Sequence, residues 1–185
     1  ANQWVVREVK ESQVGRTPKA PFITSTLQQA ASSRLGFAPS RTMGIAQKLY
    51  EKGFITYMRT DSTTLSLDAQ KAVLAEITKR YGAGAGEARV FKTKSKNAQE
   101  AHEAIRPTDV SKNSLGSNPE EKKLYELIWA RTVASQMVDA KLARTTILAN
   151  VRDFSIPNFS VTGSRVILPG WLSADPDARG EDVQL

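Results

Sequence analysis

The spacing of apolar residues changes twice along the chain and divides it into three parts. Residues 4–9 (WVVREV) have a period-2 component, which is typical of a strand. From Thr24 onward apolar residues recur at helical spacing, and after about residue 139 the period returns to two. The pattern predicts an α+β protein in which a mainly helical, winged-helix-like domain is inserted between flanking antiparallel β segments.

Four helices are predicted in the middle part, and each has a residue that favours a helix terminus. Serine, threonine or asparagine caps a start, and glycine provides a left-handed stop. The predicted helices run from a cap at Thr24, Ser25 or Thr26 to a stop at Gly36, from a cap at Ser40 to a stop at Gly53, from Leu67 to Tyr81 with a stop at Gly82, and from the cap Asn118 to about residue 139.

The remaining segments suggest where the domains divide. Residues 54–58 are predicted to be extended, and two helices followed by a strand are the order of a winged-helix unit. Residues 10–21 contain Gly15, Pro18 and Pro21 among polar residues, which indicates a connection. The predicted division is a strand and linker over residues 1–20, the helical domain over residues 21–140, and returning strands over residues 141–185. The sequence leaves open whether the first and last strands pair.

The stretch GFITYMRTDSTT, residues 53–64, carries the first candidate chemistry. In an extended segment Tyr57, Arg59 and Asp61 project to the same side. A phenol with a pKa near 10 is a poor nucleophile at neutral pH, but a nearby guanidinium favours the phenolate and stabilises charge on a phosphoryl oxygen. Two interpretations stay open: an activated tyrosine, or a half-buried aromatic residue beside a surface ion pair of Arg59 and Asp61.

The single histidine, His102, is the second candidate. Gln99, His102, Glu103 and Arg106 fall at helical spacing, which predicts a polar face on a short helix that ends before Pro107. A zinc site is not expected, because the chain has no second histidine and no cysteine. His102 either faces phosphate or handles a proton, or it is a plain surface residue.

Charge points to a polyanionic partner. The chain has 26 Lys and Arg residues against 19 Asp and Glu residues, a net charge of +7. Nucleic acid is the obvious candidate, although a merely cationic surface has the same composition. Lys92, Lys94 and Lys96 share one face if that segment is extended, either as a phosphate contact or as a solvated face.

Composition excludes several other classes of protein. The absence of cysteine removes disulfides, thiolate nucleophiles and cysteine-based metal sites, and it suits a reducing compartment. No apolar run is long enough to span a bilayer, and no charged-then-apolar leader is present. We therefore expect a cytoplasmic protein without membrane contact.

Four long motifs carry a resemblance to a known family. They are APFITSTLQQAASSRLGF, TMGIAQKLYEKGFITYMRTDSTTLS, NAQEAHEAIRPTDV and LYELIWARTVASQM. Over about residues 21–137 the chain resembles the central part of bacterial DNA topoisomerase I, the type IA family, with weaker agreement in the flanking strands. The resemblance is highly specific, because the motifs agree in order as well as in residues.

The resemblance implies a reaction and assigns residues to it. By this resemblance Tyr57 attacks a phosphodiester of single-stranded DNA and becomes joined to the 5′-phosphate. During this attack Arg59 stabilises the transition state at the scissile phosphate, and His102 assists through contact with a DNA phosphate. Passage of a strand and religation relax negative supercoils without ATP, since the phosphotyrosine conserves the bond energy. The further residues expected to contact DNA are Thr60, Asp61, Ser62 and Arg106.

The resemblance also implies parts of the enzyme that these residues do not supply. Family members bind Mg²⁺ through an acidic cluster of a Toprim domain, and no such motif is found here. The late acidic residues, Asp175, Asp177, Glu181 and Asp182, lack the strand context of that cluster. We therefore expect an excised, monomeric tyrosine domain with parts of the β-rich arch, which does not relax supercoiled DNA alone. Its expected partners are single-stranded DNA and the other domains of the same polypeptide, at the bacterial nucleoid.

Two other classes of DNA-binding protein share some of these features. A non-catalytic winged-helix module would explain the charge and the helix order, but it leaves the shared side of Tyr57, Arg59 and Asp61 as a coincidence. A tyrosine recombinase or type IB enzyme also forms a phosphotyrosine. Its dispersed arginine, lysine and histidine residues ahead of a late tyrosine are not found here.

Overall fold

The computed structural model describes residues 4–91, 102–152 and 156–179. These residues contain four α-helices and a three-stranded antiparallel sheet, which confirms the α+β class. Within them, no helix is both long enough and apolar enough to cross a membrane. In chain order the elements are β1 (Trp4–Arg16), α1 (Thr24–Leu35), α2 (Pro39–Glu51), α3 (Leu67–Tyr81), α4 (Pro119–Ala134), β2 (Ala140–Val151) and β3 (Phe159–Leu168), followed by the short 3₁₀ helices Gly170–Ser173 and Pro176–Arg179.

The two ends of the chain meet in one sheet. β1 pairs with β2 from Trp4 opposite Val151 to Arg16 opposite Ala140, and β3 pairs with the other edge of β2. The first and last strands therefore pair, which the sequence left open. The division into domains at residues 20 and 140 stays a prediction.

β1 is longer than the sequence predicts. The connection expected from residue 10 begins only after Arg16, so that prediction is wrong for residues 10–16. Most of β1 is exposed on both faces, and therefore no core imposes an alternation of apolar and polar residues. Polar residues such as Ser12 and Gln13 are held instead by the ladder with β2.

Several helix termini lie where the sequence predicts them. α3 follows the cap Ser66, and α4 follows Asn118, whose side chain accepts a backbone N–H of the first turn at 2.9 Å. Gly36 directly follows α1, and Gly53 lies two residues after the end of α2, with φ angles of 70° and 71°. This left-handed region is open to glycine without a Cβ clash, which explains why both helices stop there.

The predicted caps of α1 and α2 are wrong. Ile23 precedes α1, and Thr26 reaches back so that its Oγ1 accepts the Ile23 amide at 3.0 Å. α2 begins at Pro39, one residue before the predicted cap Ser40. Proline suits the first helical position because its φ is already helical and its missing N–H needs no partner there.

The predicted end of α4 is also wrong. The helix ends at Ala134 and not near residue 139. The amides of Gln136 and Met137 bond to carbonyls three residues back, and the amide of Val138 donates to the carbonyl of Ala85, in the segment after α3, at 3.0 Å. β2 then starts at Ala140.

The segment after α2 does not form the predicted strand. Ile55 makes only an isolated antiparallel bridge, to Pro107. The amide of Thr56 donates to the carbonyl of Arg106 at 2.9 Å, so residues 54–58 are held by a second loop and not by a sheet. The winged-helix arrangement is therefore not confirmed.

The short helix predicted around His102 is absent from residues 102–106. The amide of Ile105 donates to the carbonyl of Phe22 at 2.9 Å, which takes it away from a helical partner. Ile105 is completely buried, and this tertiary contact outweighs the local periodicity. Gln99 lies outside the described residues.

The hydrophobic core lies among α1, α2 and α4, and it also holds the loop that carries Tyr57. Tyr125 of α4 is fully buried; its hydroxyl donates to the carbonyl of Lys112 at 2.7 Å, and burial raises its pKa to about 12. Ile55 and Met58 belong to the same core. The backbone on both sides of Tyr57 is thus anchored by buried side chains.

An ion pair joins the C-terminal 3₁₀ turns to α1. The side chain of Asp175 is 1% exposed and accepts from Arg34 Nη2 at 2.7 Å and Nη1 at 3.2 Å. Asp177, whose side chain is 86% exposed, lies 3.7 Å from the same guanidinium. The two carboxylates differ in burial and geometry, and only the first makes a two-point contact.

We expect Asp175→Asn to lower the free energy of unfolding by about 2–3 kcal/mol, because it removes the buried carboxylate that binds Arg34 at two points and leaves only the exposed Asp177 near that guanidinium. Asp177→Asn is the matched control and should change it by less than about 0.5 kcal/mol. Urea denaturation at one pH measures both. Equal losses in the two variants would contradict a structural role specific to Asp175.

Candidate active site

The loop between α2 and α3 presents alternate residues to solvent. Tyr57, Arg59 and Asp61 are exposed, whereas the intervening Met58 and Thr60 are buried. The alternation predicted for an extended segment is therefore present, although no strand forms. A phenol, a guanidinium and a carboxylate share the open side of one backbone.

Side-chain hydroxyl groups hold this backbone in place. The Oγ1 of Thr24 donates to the carbonyl of Met58 at 2.8 Å and accepts the amide of Thr60 at 3.0 Å. Thr60 Oγ1 accepts the Ser62 amide at 3.1 Å, and Ser62 Oγ accepts the Thr64 amide at 3.2 Å. The hydroxyls of Thr60 and Ser62 thus support their own loop. Their predicted contact with DNA stays a prediction.

Two adjoining clefts open beside the loop. The first, of about 320 Å³, lies beside Tyr57, and the second, of about 510 Å³, lies beside Arg59 and Asp61. Thr60 and His102 line both clefts, so the fold brings His102 to the side chains of the loop. The other lining residues are Tyr50, Thr56 and Glu103 in the first cleft, and Ile23, Thr24, Ser25 and Gln28 in the second.

Tyr57 has a partly packed ring and an uncommitted hydroxyl. Tyr57 is 46% exposed, and its ring packs edge-to-face against the ring of Tyr50 with the ring centroids 5.2 Å apart. Within residues 4–91, 102–152 and 156–179, the side chains of Tyr57, Arg59, Asp61 and His102 make no hydrogen bond or ion pair. The surface ion pair of Arg59 and Asp61, considered above as the alternative, is thus not formed.

Glu103 lines the first cleft and links two loops there, by hydrogen bonds to Ser66 and Arg106. Its Oε1 accepts the Ser66 amide at 2.8 Å, and its Oε2 accepts from Arg106 Nη2 at 2.6 Å. Burial raises the pKa of Glu103, but hydrogen bonds from Ser66 and Arg106 outweigh it, and the pKa lies below its usual value. Arg106 is bound to Glu103 and lines neither cleft, so its contact with DNA stays a prediction.

The other charged candidates do not join the site. Asp175 is buried against Arg34, and Asp177 is beside it. Among the residues that the structure describes, no three His, Cys, Asp or Glu side chains are grouped to hold a metal ion. The remaining candidates, Lys92, Lys94, Lys96, Glu181 and Asp182, lie outside those residues.

Comparison with known families covers the whole chain. The model of the DNA topoisomerase family matches residues 1–185, which include both flanking β segments. This chain belongs to the bacterial type IA DNA topoisomerase family. The resemblance carried by the four motifs is thereby confirmed, and it extends beyond residues 21–137.

Relatives in this family are much longer than the chain. DNA topoisomerase 1 of Zymomonas mobilis is 47% identical over 190 residues, covering 98% of this chain and 15% of the relative. DNA topoisomerase 1 of Streptomyces coelicolor is 46% identical over 193 residues, covering 97% and 20%. The structure of full-length topoisomerase I from Thermotoga maritima is similar, with a TM-score of 0.78, 38% identity, and coverage of 98% of this chain and 30% of that one. The chain therefore spans a minor part of the topoisomerases that it matches.

The sequence alone did not assign several residues that shape this candidate site. Thr24 and Glu103 hold the loops, and Tyr50 packs on Tyr57. The bonds from Thr24 to Met58 and from Ser66 to Glu103 join residues more than 30 positions apart, so no local pattern indicates them. Tyr50 offers a weak signal, because it lies at the end of the apolar stripe of α2, directly before the loop.

We expect Glu103→Gln to lower the free energy of unfolding by about 1 kcal/mol at pH 7, because charged hydrogen bonds to Ser66 and Arg106 are weakened. The pKa of Glu103 is lowered on folding from 4.5, so its contribution is present above that value and is lost as pH falls through the folded pKa. The difference between variant and parent should therefore shrink toward pH 3. Urea denaturation across this pH range measures it.

Glu126→Gln is the control, since Glu126 is an exposed carboxylate that accepts from Ser114 away from the clefts. It should change the free energy of unfolding by less than about 0.5 kcal/mol throughout. A Glu103→Gln loss that stays constant from pH 7 to pH 3 would show that ionisation of Glu103 is not its cause.

Proposed function

We propose that Tyr57 is the nucleophile with which a type IA topoisomerase cleaves one strand of DNA. The Tyr57 oxygen forms a bond to phosphorus, the bond from phosphorus to the 3′-oxygen breaks, and the proton of the phenol passes to that leaving oxygen. The products are a 5′-phosphotyrosine and a free 3′-hydroxyl. The reverse attack by the 3′-hydroxyl reseals the strand, so the bond energy is conserved and no ATP is needed.

One observation carries this proposal. The uncommitted Tyr57 hydroxyl lies on the same open side of the loop as Arg59, next to two clefts that share His102. Simple packing explains a tyrosine beside an aromatic neighbour. It does not explain why the same clefts hold a guanidinium and an imidazole that make no hydrogen bond or ion pair within the described part of the chain. Membership of the topoisomerase family supplies a reaction that needs this grouping.

Arg59 and His102 have separate tasks in the proposed reaction. Negative charge develops on the phosphoryl oxygens as Tyr57 attacks, and the planar fork of Arg59 suits pairs of such oxygens. His102 lines both clefts and is proposed to contact a DNA phosphate there. Thr60 and Asp61 are proposed to lie beside the bound strand. Ser62 and Arg106 are also proposed to contact DNA, in addition to the hydrogen bonds by which they support their loops.

The complete cycle is proposed for the longer enzyme. The chain spans 15% to 22% of the length of the curated relatives, and passage of a strand through a cleaved one requires a protein that bridges the gap. By the resemblance, Mg²⁺ is bound by a Toprim region of the intact enzyme, and none of the steps assigned above to this chain's side chains involves the ion. The proposed partners are a single-stranded segment of negatively supercoiled DNA and the other domains of the same polypeptide. The net charge of +7 favours the polyanion.

We expect Tyr57→Phe, in a full-length enzyme that carries this segment, to abolish the covalent DNA adduct and to leave affinity for single-stranded DNA within about threefold. Tyr50→Phe is the matched control, because it removes a hydroxyl from the ring packed against Tyr57 and should retain the adduct. Denaturing gels with end-labelled DNA detect the adduct. An adduct in Tyr57→Phe would overturn the assignment, and DNA binding without any adduct in the parent enzyme would favour a non-catalytic DNA-binding module.

We expect the 185-residue chain alone not to relax negatively supercoiled plasmid in the presence of Mg²⁺. The physical reason is that two parts of the enzyme are proposed to lie in other domains. They are the region that binds Mg²⁺ and the part of the protein that bridges the gap in the cleaved strand. Agarose-gel relaxation assays measure this, with a full-length family enzyme as the positive control. Relaxation by the isolated chain would contradict the proposal that other domains are required.

A further inference from the structure

Thr24 is the first residue of α1, yet its side chain does not serve that helix. The reciprocal capping contact at the start of α1 is made by Thr26, whose Oγ1 accepts the Ile23 amide at 3.0 Å. The hydroxyl of Thr24 is therefore available for the loop that carries Tyr57, more than 30 residues away.

Four hydrogen-bond contacts connect Thr24 to that loop, and two of them share the single proton of its hydroxyl. Its Oγ1 donates to the carbonyl of Met58 at 2.8 Å, with the carbonyl of Thr60 also within 3.1 Å, and it accepts the amide of Thr60 at 3.0 Å. The amide of Thr24 donates to the carbonyl of Thr60 at 3.0 Å. One residue thus satisfies backbone groups on both sides of Arg59, directly after Tyr57.

No regular ladder holds this part of the loop. The isolated bridge of Ile55 lies before Tyr57, and within the described residues no strand includes residues 56–62. Backbone groups that lack a sheet partner need another one, and Thr24 supplies it. Thr24 also lines the second cleft, together with Arg59. One side of that cleft is formed by α1 and another by the loop, and the hydrogen bonds of Thr24 join these two sides.

We propose that Thr24 is a positioning residue for DNA cleavage, which holds Tyr57 and Arg59 in the register that an in-line attack on phosphorus requires. This inference rests on the proposed function. Displacement of reacting groups by about 1 Å can cost on the order of 100-fold in rate, so a hydroxyl that fixes the backbone acts on catalysis without touching DNA.

Thr24→Val tests the inference, because valine keeps the shape of threonine and removes the hydroxyl. In a full-length enzyme that carries this segment, we expect the rate of adduct formation to fall about 10- to 100-fold, with affinity for single-stranded DNA within about threefold. Thr24→Ser keeps the hydroxyl and should restore the rate. Single-turnover cleavage of end-labelled DNA gives the rate, and fluorescence anisotropy gives the affinity.

Thr132→Val is the matched structural control. Thr132 is also a threonine whose hydroxyl donates to a backbone carbonyl, that of Ile128 at 2.9 Å, but it lies within α4 and lines neither cleft. It should lower the melting temperature to a degree comparable with Thr24→Val and leave the adduct rate unchanged. A similar loss of rate in Thr132→Val would assign the effect of Thr24 to general stability and overturn the inference.

Hydrogen–deuterium exchange gives a readout that does not depend on the reaction. In the 185-residue chain, Thr24→Val should speed exchange of the Thr60 amide about tenfold or more, and Thr24→Ser should not. Unchanged exchange in Thr24→Val would overturn the role of Thr24. An unchanged adduct rate in Thr24→Val, with the adduct abolished in Tyr57→Phe, would also overturn that role and leave the proposed function standing. An adduct that persists in Tyr57→Phe would overturn the proposed function instead.

Discussion

The loop that carries Tyr57 is irregular, and the site depends on the requirement that its buried backbone groups still find partners. Those partners come from distant residues: a hydroxyl at Thr24 and the backbone of the loop around Arg106. Met58 fixes the same segment from inside the core. The backbone is thus satisfied by groups beneath it, and within the described residues the exposed side chains of Tyr57, Arg59 and Asp61 make no hydrogen bond or ion pair.

The sheet is connected to the helices mainly at one end. Gly170 has a φ of 50°, and a Cβ there would lie 2.4 Å from the carbonyl of Asp139, so only glycine permits this approach. The next residue, Trp171, donates through Nε1 to the carbonyl of Arg16 at 2.8 Å and through its amide to Val138 at 3.0 Å. The ends of β1 and β3 and the start of β2 are thereby fixed to the end of α4. At the opposite end of the sheet, Trp4 remains exposed.

Local signals in the sequence were sufficient wherever a terminus is decided by its own residues. Asn118 caps α4, and Gly36 and Gly53 end α1 and α2, because capping and left-handed φ angles depend on one residue and its neighbours. The prediction of a helix around His102 failed because the amide of Ile105 binds a carbonyl more than 80 residues earlier in the chain. For the candidate site, the alternation of exposed residues was predictable from the loop, whereas the approach of His102 is a product of the tertiary fold.

The charges of the chain fall into two groups with different physical roles. Acidic residues that are largely buried each have a cation of their own: Glu121 accepts from Lys52 at 2.6 Å, Asp175 from Arg34 at 2.7 Å. Such pairs neutralise their cations locally and leave them little attraction for DNA. Arg59 has no ion pair within the described residues, and it stands at a cleft. The net positive charge favours a polyanion over a distance, and in the proposed reaction Arg59 is the specific place where that attraction acts.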